Sequence, residues 1–131
     1  MKKKIRQIIY DFQKKIAYFP SKKFNGSVLD GRDITYKIIP DADFKFYVTA
    51  NIKVRATRRF KELKSLNKKI SYNKVLKDIK NRDYADKNRS ISRLIKTNDS
   101  ILINTTSLTI RSGFLKIKKI MDNKLKNYAR N

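Results

Sequence analysis

Charged side chains that could bind a phosphorylated ligand stand at helical spacing in the second half of the chain. Arg82, Asp86 and Arg89 follow one another at steps of four and three residues, which places them on one face of a helix. An apolar stripe at residues 72–79 precedes them on the same face, so the charges are expected to continue a buried surface. Charges turned toward an interior need a partner of matching sign, such as an ordered ligand. The alternative is a set of ion pairs on a solvated surface.

Three further arginines, Arg55, Arg58 and Arg59, share a face of the preceding predicted helix. Like charges this close repel one another unless an anion or Glu62 relieves the repulsion. The planar guanidinium group suits bidentate contacts with phosphate, and phosphoryl transfer is catalysed largely by positioning and by such charge stabilisation. We therefore expect these arginines to bind a polyphosphate.

The segment Asp30-Gly31-Arg32-Asp33 follows a short apolar run, Val28-Leu29, which is expected to form a buried parallel strand. Such a strand would deliver the polar residues to the carboxyl edge of a sheet, a common place for a functional site. A carboxylate such as Asp30 at that edge often holds a magnesium ion or its waters in nucleotide-using α/β enzymes. The alternative is a simple turn, because Asp-Gly is a frequent turn pair.

Apolar periodicity and helix caps indicate the elements that must position these residues. Residues 4–18 repeat apolar side chains at helical spacing, and this helix is expected to end before Pro20. The segment 44–49 is rich in aromatic and β-branched residues, which predicts a strand. The remaining elements are a helix capped by Asn51, a helix capped by Ser71, a strand at 101–104 and a helix capped by Thr109. This alternation predicts an α/β fold with a parallel sheet.

Composition limits the chemistry. The 131 residues fit a single domain, and cysteine and histidine are both absent. Their absence excludes disulfides, thiolate nucleophiles, imidazole bases and zinc sites built from Cys and His, so no protein-bound metal site of that kind is expected. No apolar run is long enough to span a membrane, and the MKKK start is followed by a charged amphipathic segment, which predicts a cytoplasmic protein.

The formal charge of +23 raises the alternative of a small basic nucleic-acid-binding protein. Tyrosine and phenylalanine, seven of each, are compatible with that alternative. Most lysines are scattered singly, whereas a nucleic-acid footprint is usually a clustered stripe with aromatic residues set into it. The distribution therefore favours a solvated lysine surface over a nucleic-acid partner.

Several motifs together make the chain resemble the cytidylate kinases. They are Arg6 in an Ile-Arg-Gln helix start, VLDGRDI at 28–34, Pro-Asp-Ala at 40–42, VRATRR at 54–59, the segment 71–89 with its Asn-Arg-Asp motif at 81–83, and NTTSLT at 104–109. These motifs agree in order and spacing, and they cover the chain from about Ile5 to Leu125.

The resemblance implies a single, incomplete nucleoside monophosphate kinase domain over residues 1–131, with CMP or dCMP as substrate and ATP with Mg²⁺ as phosphate donor. It implies a lid at about residues 55–71, which carries Arg55, Arg58 and Arg59. Asp33, with Arg6 and Arg89, would read the cytosine edge, and carboxylate and guanidinium groups are suited to that edge. Arg82 and Asp86 would bind the sugar hydroxyls, and Arg32 would lie near the CMP phosphate.

The chain departs from the family pattern at two places. Thr35 and Tyr36 stand where the family usually has glycine and threonine, and Arg93 stands where proline is usual. The P-loop that binds ATP phosphates in the family is also not found, because none of the three glycines fits its pattern. The resemblance places the P-loop strand between the strand ending at Asp30 and the strand at 44–49.

We therefore expect the chain alone to lack appreciable kinase activity. A separately encoded amino-terminal P-loop segment would complete the enzyme, and no membrane partner is expected. A degraded remnant without function is a further alternative, although the intact substrate-contact motifs argue against long decay.

Overall fold

The computed structural model describes residues 3–128, which form four α-helices, a short π-helix and two strands. In chain order these are α1 (Lys3–Tyr18), the π-helix Ile34–Ile38, β1 (Phe46–Thr49), α2 (Ile52–Ser65), α3 (Tyr72–Asn88), β2 (Ile101–Asn104) and α4 (Ile110–Tyr128). The predicted α/β class is confirmed. Each predicted helix and the strands at 44–49 and 101–104 are present, with boundaries shifted by at most two or three residues.

The chain divides into two compact units. The first contains the described residues up to Asp43 together with Asp86–Asp99, and the second contains Phe44–Ala85 together with the described residues from Ser100 onward. The carboxyl end of α3 thus belongs to the first unit and the rest of that helix to the second. Each unit has its own small apolar core: Ile34 and Ile38 are buried in the first, whereas Ala56, Leu63, Val75 and Ile103 are buried in the second.

The two strands of the second unit pair in parallel. Phe46 lies opposite Ile101 and Thr49 lies opposite Asn104. Beyond the strands, the Thr105 amide donates to the Thr49 carbonyl oxygen at 2.8 Å, which extends the ladder. Ile103 is fully buried, so the centre of β2 contributes to the core of this unit.

Local hydrogen bonds explain where the helices of the second unit begin. The Asn51 side chain accepts from the Lys53 amide at 2.9 Å, and Ser71 Oγ accepts from the Lys74 amide at 3.3 Å. Before α4, Thr109 Oγ1 accepts from the Ser112 amide at 3.1 Å, and Ser112 Oγ accepts from the Thr109 amide at 2.9 Å. All three predicted caps are thereby confirmed.

The prediction of a buried strand at Val28-Leu29 is wrong. These residues have no regular structure, and Val28 is fully exposed. A strand requires a neighbour to receive its backbone hydrogen bonds, and in the described part of the chain β1 and β2 pair only with each other. The π-helix Ile34–Ile38, which follows this segment, was not predicted from the sequence.

None of the helices within residues 3–128 is both long and apolar enough to cross a membrane.

Candidate functional site

The first unit contains a cleft of about 270 Å³ whose charged lining residues are mainly cationic. α1 contributes Arg6 and Tyr10, the segment leading into the π-helix contributes Arg32 and Asp33, and the π-helix contributes Lys37. Arg89, directly after α3, completes the charged lining. Among the described residues that line the cleft, four side chains are therefore cationic and only Asp33 is acidic, so the cleft is suited to an anionic ligand.

Asp86 contacts and orients two of these arginines. Its carboxylate Oδ2 accepts from Arg32 Nε at 2.7 Å, and its Oδ1 lies 3.5 Å from Arg89 Nη1. The residue is only 9% exposed, so this carboxylate is a buried charge held by two guanidinium groups. Each guanidinium carries five N–H donors, and the contact with Asp86 therefore orients the arginine while leaving donors for a ligand.

Arg82 and Asp30, like Asp86, are predicted site residues that do not themselves line this cleft. Arg82 is exposed on α3, four residues before Asp86, and it belongs to the second unit. Asp30 is exposed in the irregular segment before Gly31. Within the described residues, no group of three or more acidic side chains is arranged to hold a metal ion.

In the second unit, Arg55 makes a bidentate ion pair with Asp83. Arg55 Nη1 and Nη2 lie 2.8 and 2.5 Å from the two carboxylate oxygens, and Arg55 Nε donates to the Ala50 carbonyl oxygen at 3.1 Å. The hydrogen bond with Asp83 raises the pKa of Arg55 above its ordinary value, although burial acts in the opposite direction. Arg55 thus ties the beginning of α2 to α3 and to the residue that follows β1.

Arg58 and Arg59 also have protein partners. Arg58 Nη2 donates to the carbonyl oxygens of Thr105 and Leu108 at 2.7 and 2.9 Å, and so holds the loop after β2. Arg59 Nη1 pairs with Glu62 Oε1 at 2.7 Å on the exposed surface of α2. The expected repulsion among the three arginines is therefore relieved by Glu62, as considered from the sequence, and also by acceptors from distant parts of the same unit.

Tyr10 and Lys37 are cleft residues that the sequence analysis missed. The Tyr10 hydroxyl donates to the Lys37 carbonyl oxygen at 3.3 Å, and Lys37 Nζ lies 5.8 Å from the centre of the Tyr10 ring. Tyr10 follows Arg6 by four residues on α1, so the helical spacing itself could have placed it on the same face. No local signal marks Lys37, because its position depends on the π-helix.

Tyr36 adds a neutral donor to the first unit. Its hydroxyl donates to the carbonyl oxygen of Arg93 at 2.9 Å. Burial raises the pKa of Tyr36, and the charge of Asp33 acts in the same direction, whereas Arg89 and Arg93 lower it. A tyrosine hydroxyl is protonated at neutral pH even at its ordinary pKa of 10.0, so the upward shift extends the range in which Tyr36 can donate to more alkaline pH.

An α/β chain with a parallel strand pair and a cationic cleft braced by a buried carboxylate defines a candidate nucleotide-binding protein. Comparison with known proteins makes the class specific. The family model for cytidylate kinase matches residues 1–123, and the chain therefore belongs to the cytidylate kinase family.

Curated relatives named cytidylate kinase agree with this assignment. The chain is 44% identical over 117 residues to the protein of Clostridium botulinum (strain Okra / Type B1), covering 89% of this chain and 52% of the relative. It is 42% identical over 118 residues to the protein of Clostridium tetani, covering 90% and 50%. For Azorhizobium caulinodans the identity is 44% over 110 residues, covering 84% and 52%. The resemblance noted from the motifs is thereby confirmed, and the chain spans about half the length of the curated relatives it matches.

Proposed function

We propose that this chain is the CMP-binding and lid part of an enzyme that transfers a phosphoryl group from ATP to CMP or dCMP. In that reaction an oxygen of the CMP or dCMP phosphate forms a bond to the γ-phosphorus of ATP. The bond between the γ-phosphorus and the oxygen that bridges to the β-phosphate breaks, and the products are CDP or dCDP and ADP. The observation that carries the proposal is the buried Asp86 carboxylate, which holds Arg32 and Arg89 at the wall of a cationic cleft. Family membership supplies the substrate class.

The cleft residues have donors and acceptors that suit cytidine monophosphate. Asp33 can accept from the exocyclic amino group of cytosine, and Arg6 and Arg89 can donate to its ring nitrogen and carbonyl oxygen. Arg32 offers its remaining donors to the phosphate. Asp86 affects ligand binding through the two arginines that it orients. The proposal also includes contacts of Asp86 and Arg82 with the sugar hydroxyls.

In the proposed lid, the three α2 arginines differ in the protein contacts that each must break before it can bind a phosphate. Arg59 gives up only an exposed pair with Glu62, and such pairs contribute about 0–1 kcal/mol. Arg55 would have to leave a bidentate contact with Asp83, and Arg58 would have to release two backbone carbonyls. Arg59 is therefore the member of the set that can turn to a ligand at the smallest cost.

The residues of this chain fit the ATP phosphates poorly. The three glycines form no P-loop pattern, and the described acidic residues form no metal-binding group. As part of the proposal, the ATP site with its Mg²⁺ is supplied by a P-loop segment distinct from these 131 residues. Asp30 is kept as a residue that could contact a water of that ion when the segment is present.

Direct binding measurements test the nucleotide half of the proposal. Calorimetric titration of the 131-residue protein should show binding of CMP and dCMP and weaker binding of UMP. Arg32→Gln removes charged hydrogen bonds worth about 1.5–3 kcal/mol, so CMP affinity should fall roughly 10- to 100-fold. Arg111→Gln, an exposed arginine of α4 outside the cleft, is the matched control and should bind like the parent.

Absence of CMP binding would contradict the nucleotide half of the proposal, and so would either of two other results. Equal affinity for CMP and UMP would remove the cytosine-reading role, and tight, salt-sensitive binding of unrelated oligonucleotides without CMP binding would favour the nucleic-acid alternative. A coupled assay with ATP and CMP tests the need for a P-loop segment. Turnover by the 131-residue protein alone, at ordinary kinase rates of about 1–100 per second, would overturn that part.

A further inference from the structure

Two residues of the first unit, Tyr36 and Arg93, contact each other. Tyr36 lies in the π-helix Ile34–Ile38, and its hydroxyl donates to the carbonyl oxygen of Arg93 at 2.9 Å. Arg93 in turn donates from Nε to the carbonyl oxygen of Arg89, also at 2.9 Å. The two side chains therefore form a chain of hydrogen bonds that ends on the backbone of a cleft arginine.

A backbone hydrogen bond also ties the end of segment 89–94 to α3. The Leu94 amide donates to the Asp86 carbonyl oxygen at 2.8 Å, so the segment starts and ends beside the residue whose carboxylate contacts Arg89. Ser92 within it has φ of 58°, a left-handed conformation that a serine adopts only when its surroundings hold it there. Ile91 and Ser92 also line the cleft. The shape of this short segment thus determines one wall of the cleft.

A segment of this kind needs a stiffening element, because each residue fixed in one backbone conformation costs conformational entropy. A proline ring locks φ without help from neighbouring residues, and segment 89–94 contains no proline. Arg93 lacks that constraint. The hydroxyl of Tyr36 and the guanidinium of Arg93 instead hold the segment through side-chain hydrogen bonds to two of its carbonyl oxygens.

We propose that Tyr36 and Arg93 are positioning residues that fix segment 89–94, and with it Arg89, at the cleft, so that discrimination between CMP and UMP depends on the Tyr36 hydroxyl. The inference rests on the proposed function for its substrate and goes beyond it in assigning two residues that touch no reacting atom.

Tyr36→Phe tests the proposal, because it removes the hydroxyl and keeps the ring. Loss of one hydrogen bond of about 1 kcal/mol should weaken CMP binding roughly fivefold and leave UMP binding nearly unchanged, so the preference for CMP narrows. Hydrogen exchange of the amides in segment 89–94, measured without nucleotide, should become roughly fivefold faster. Tyr72→Phe is the matched control, since the Tyr72 hydroxyl also donates to a backbone carbonyl, that of Lys53, in the second unit.

A second variant separates positioning from a general loss of stability. Arg93→Met removes the contact with the Arg89 carbonyl and keeps a long, largely apolar side chain. If both residues hold the same segment, the double variant with Tyr36→Phe should lose less CMP affinity than the product of the two single losses. A double loss equal to that product would show that the two residues act independently and would overturn the proposed unit.

The outcomes distinguish this inference from the proposed function. Unchanged exchange in segment 89–94 and unchanged CMP preference in Tyr36→Phe would overturn the positioning role while the parent still binds CMP. Equal losses of CMP and UMP affinity would also overturn it, because a purely structural role affects both nucleotides alike. A parent protein that binds no CMP would instead overturn the proposed function, and the exchange rates would then decide alone whether Tyr36 holds the segment.

Discussion

The arginines of the cleft and the arginines of α2 are the same residue type in opposite electrostatic situations. In the first unit, the buried carboxylate of Asp86 pairs with both Arg32 and Arg89. Arg6 and Lys37 line the same cleft as these two arginines. On α2, each arginine has its own acceptors from the protein. Positive charge in excess of its acidic neighbours is therefore suited to an anion, whereas positive charge matched by protein acceptors stabilises the fold.

Asp86→Asn should produce the largest effect on this comparison. The variant leaves two arginines without the charged acceptor that orients them, and the free energy of unfolding should fall by about 2 kcal/mol. CMP affinity should fall more than tenfold for the same reason. Urea unfolding and calorimetric titration measure the two quantities.

Asp122→Asn is the control for that variant. Asp122 pairs with Lys118 on the exposed surface of α4, so its loss should change the unfolding free energy by less than about 0.5 kcal/mol. Equal effects of the two substitutions would show that the buried carboxylate is no more important than a surface one, and the contrast between the two regions would fail.

A pair of Arg→Lys substitutions on α2 gives a smaller effect and sharpens the comparison within one helix. Lysine cannot reproduce the bidentate contact of Arg55 with Asp83, so Arg55→Lys should lower the free energy of unfolding by about 1 kcal/mol. Arg59→Lys alters only an exposed pair with Glu62 and should stay within about 0.5 kcal/mol of the parent. Thermal or urea unfolding of both variants measures the difference, and the reverse order would refute the ranking of the α2 arginines.

Alkaline pH should give the smallest effect. The pKa of Tyr36 is raised above 10.0 in the folded protein, so the folded state binds this proton more tightly than the unfolded state. Its stabilising contribution is therefore complete below pH 10.0 and is lost as the pH rises through the folded pKa. Tyr36→Phe should therefore show a shallower loss of unfolding free energy as the pH rises above 10.0, because the other titrating groups are common to both proteins. Identical pH profiles would contradict the prediction.

Much of the fold could be predicted because its determinants are local. Asn51, Ser71 and Thr109 each bond to a backbone amide two or three residues further on, and such contacts depend on neighbouring sequence alone. Val28-Leu29 failed as a strand because strand formation depends on a partner, which apolar composition does not specify. The π-helix depends on an unusual local backbone, for which the sequence offers no pattern.

The sequence indicated which residues belong to the candidate site, but not how they are arranged in space. The motifs suggested Arg6, Arg32, Asp33 and Arg89, which the structure brings to one cleft, although their roles stay a prediction. Helical spacing predicted that Arg82 and Asp86 share one face of α3. Spacing does not indicate which part of that face other elements cover, and in the structure Asp86 is buried whereas Arg82 is exposed. The contacts of Arg55 with Asp83 and of Tyr36 with Arg93 span 28 and 57 residues, beyond the reach of local patterns.

The narrow parallel sheet has a consequence for how the protein behaves at high concentration. Two four-residue strands present outer edges whose backbone groups could pair with another chain, and Val48 and Leu102 expose apolar surface beside them. The net charge of +23 opposes such self-association by repulsion between molecules. Salt at about 0.1 M limits that repulsion to roughly 10 Å, so colloidal stability is expected to decline as ionic strength rises.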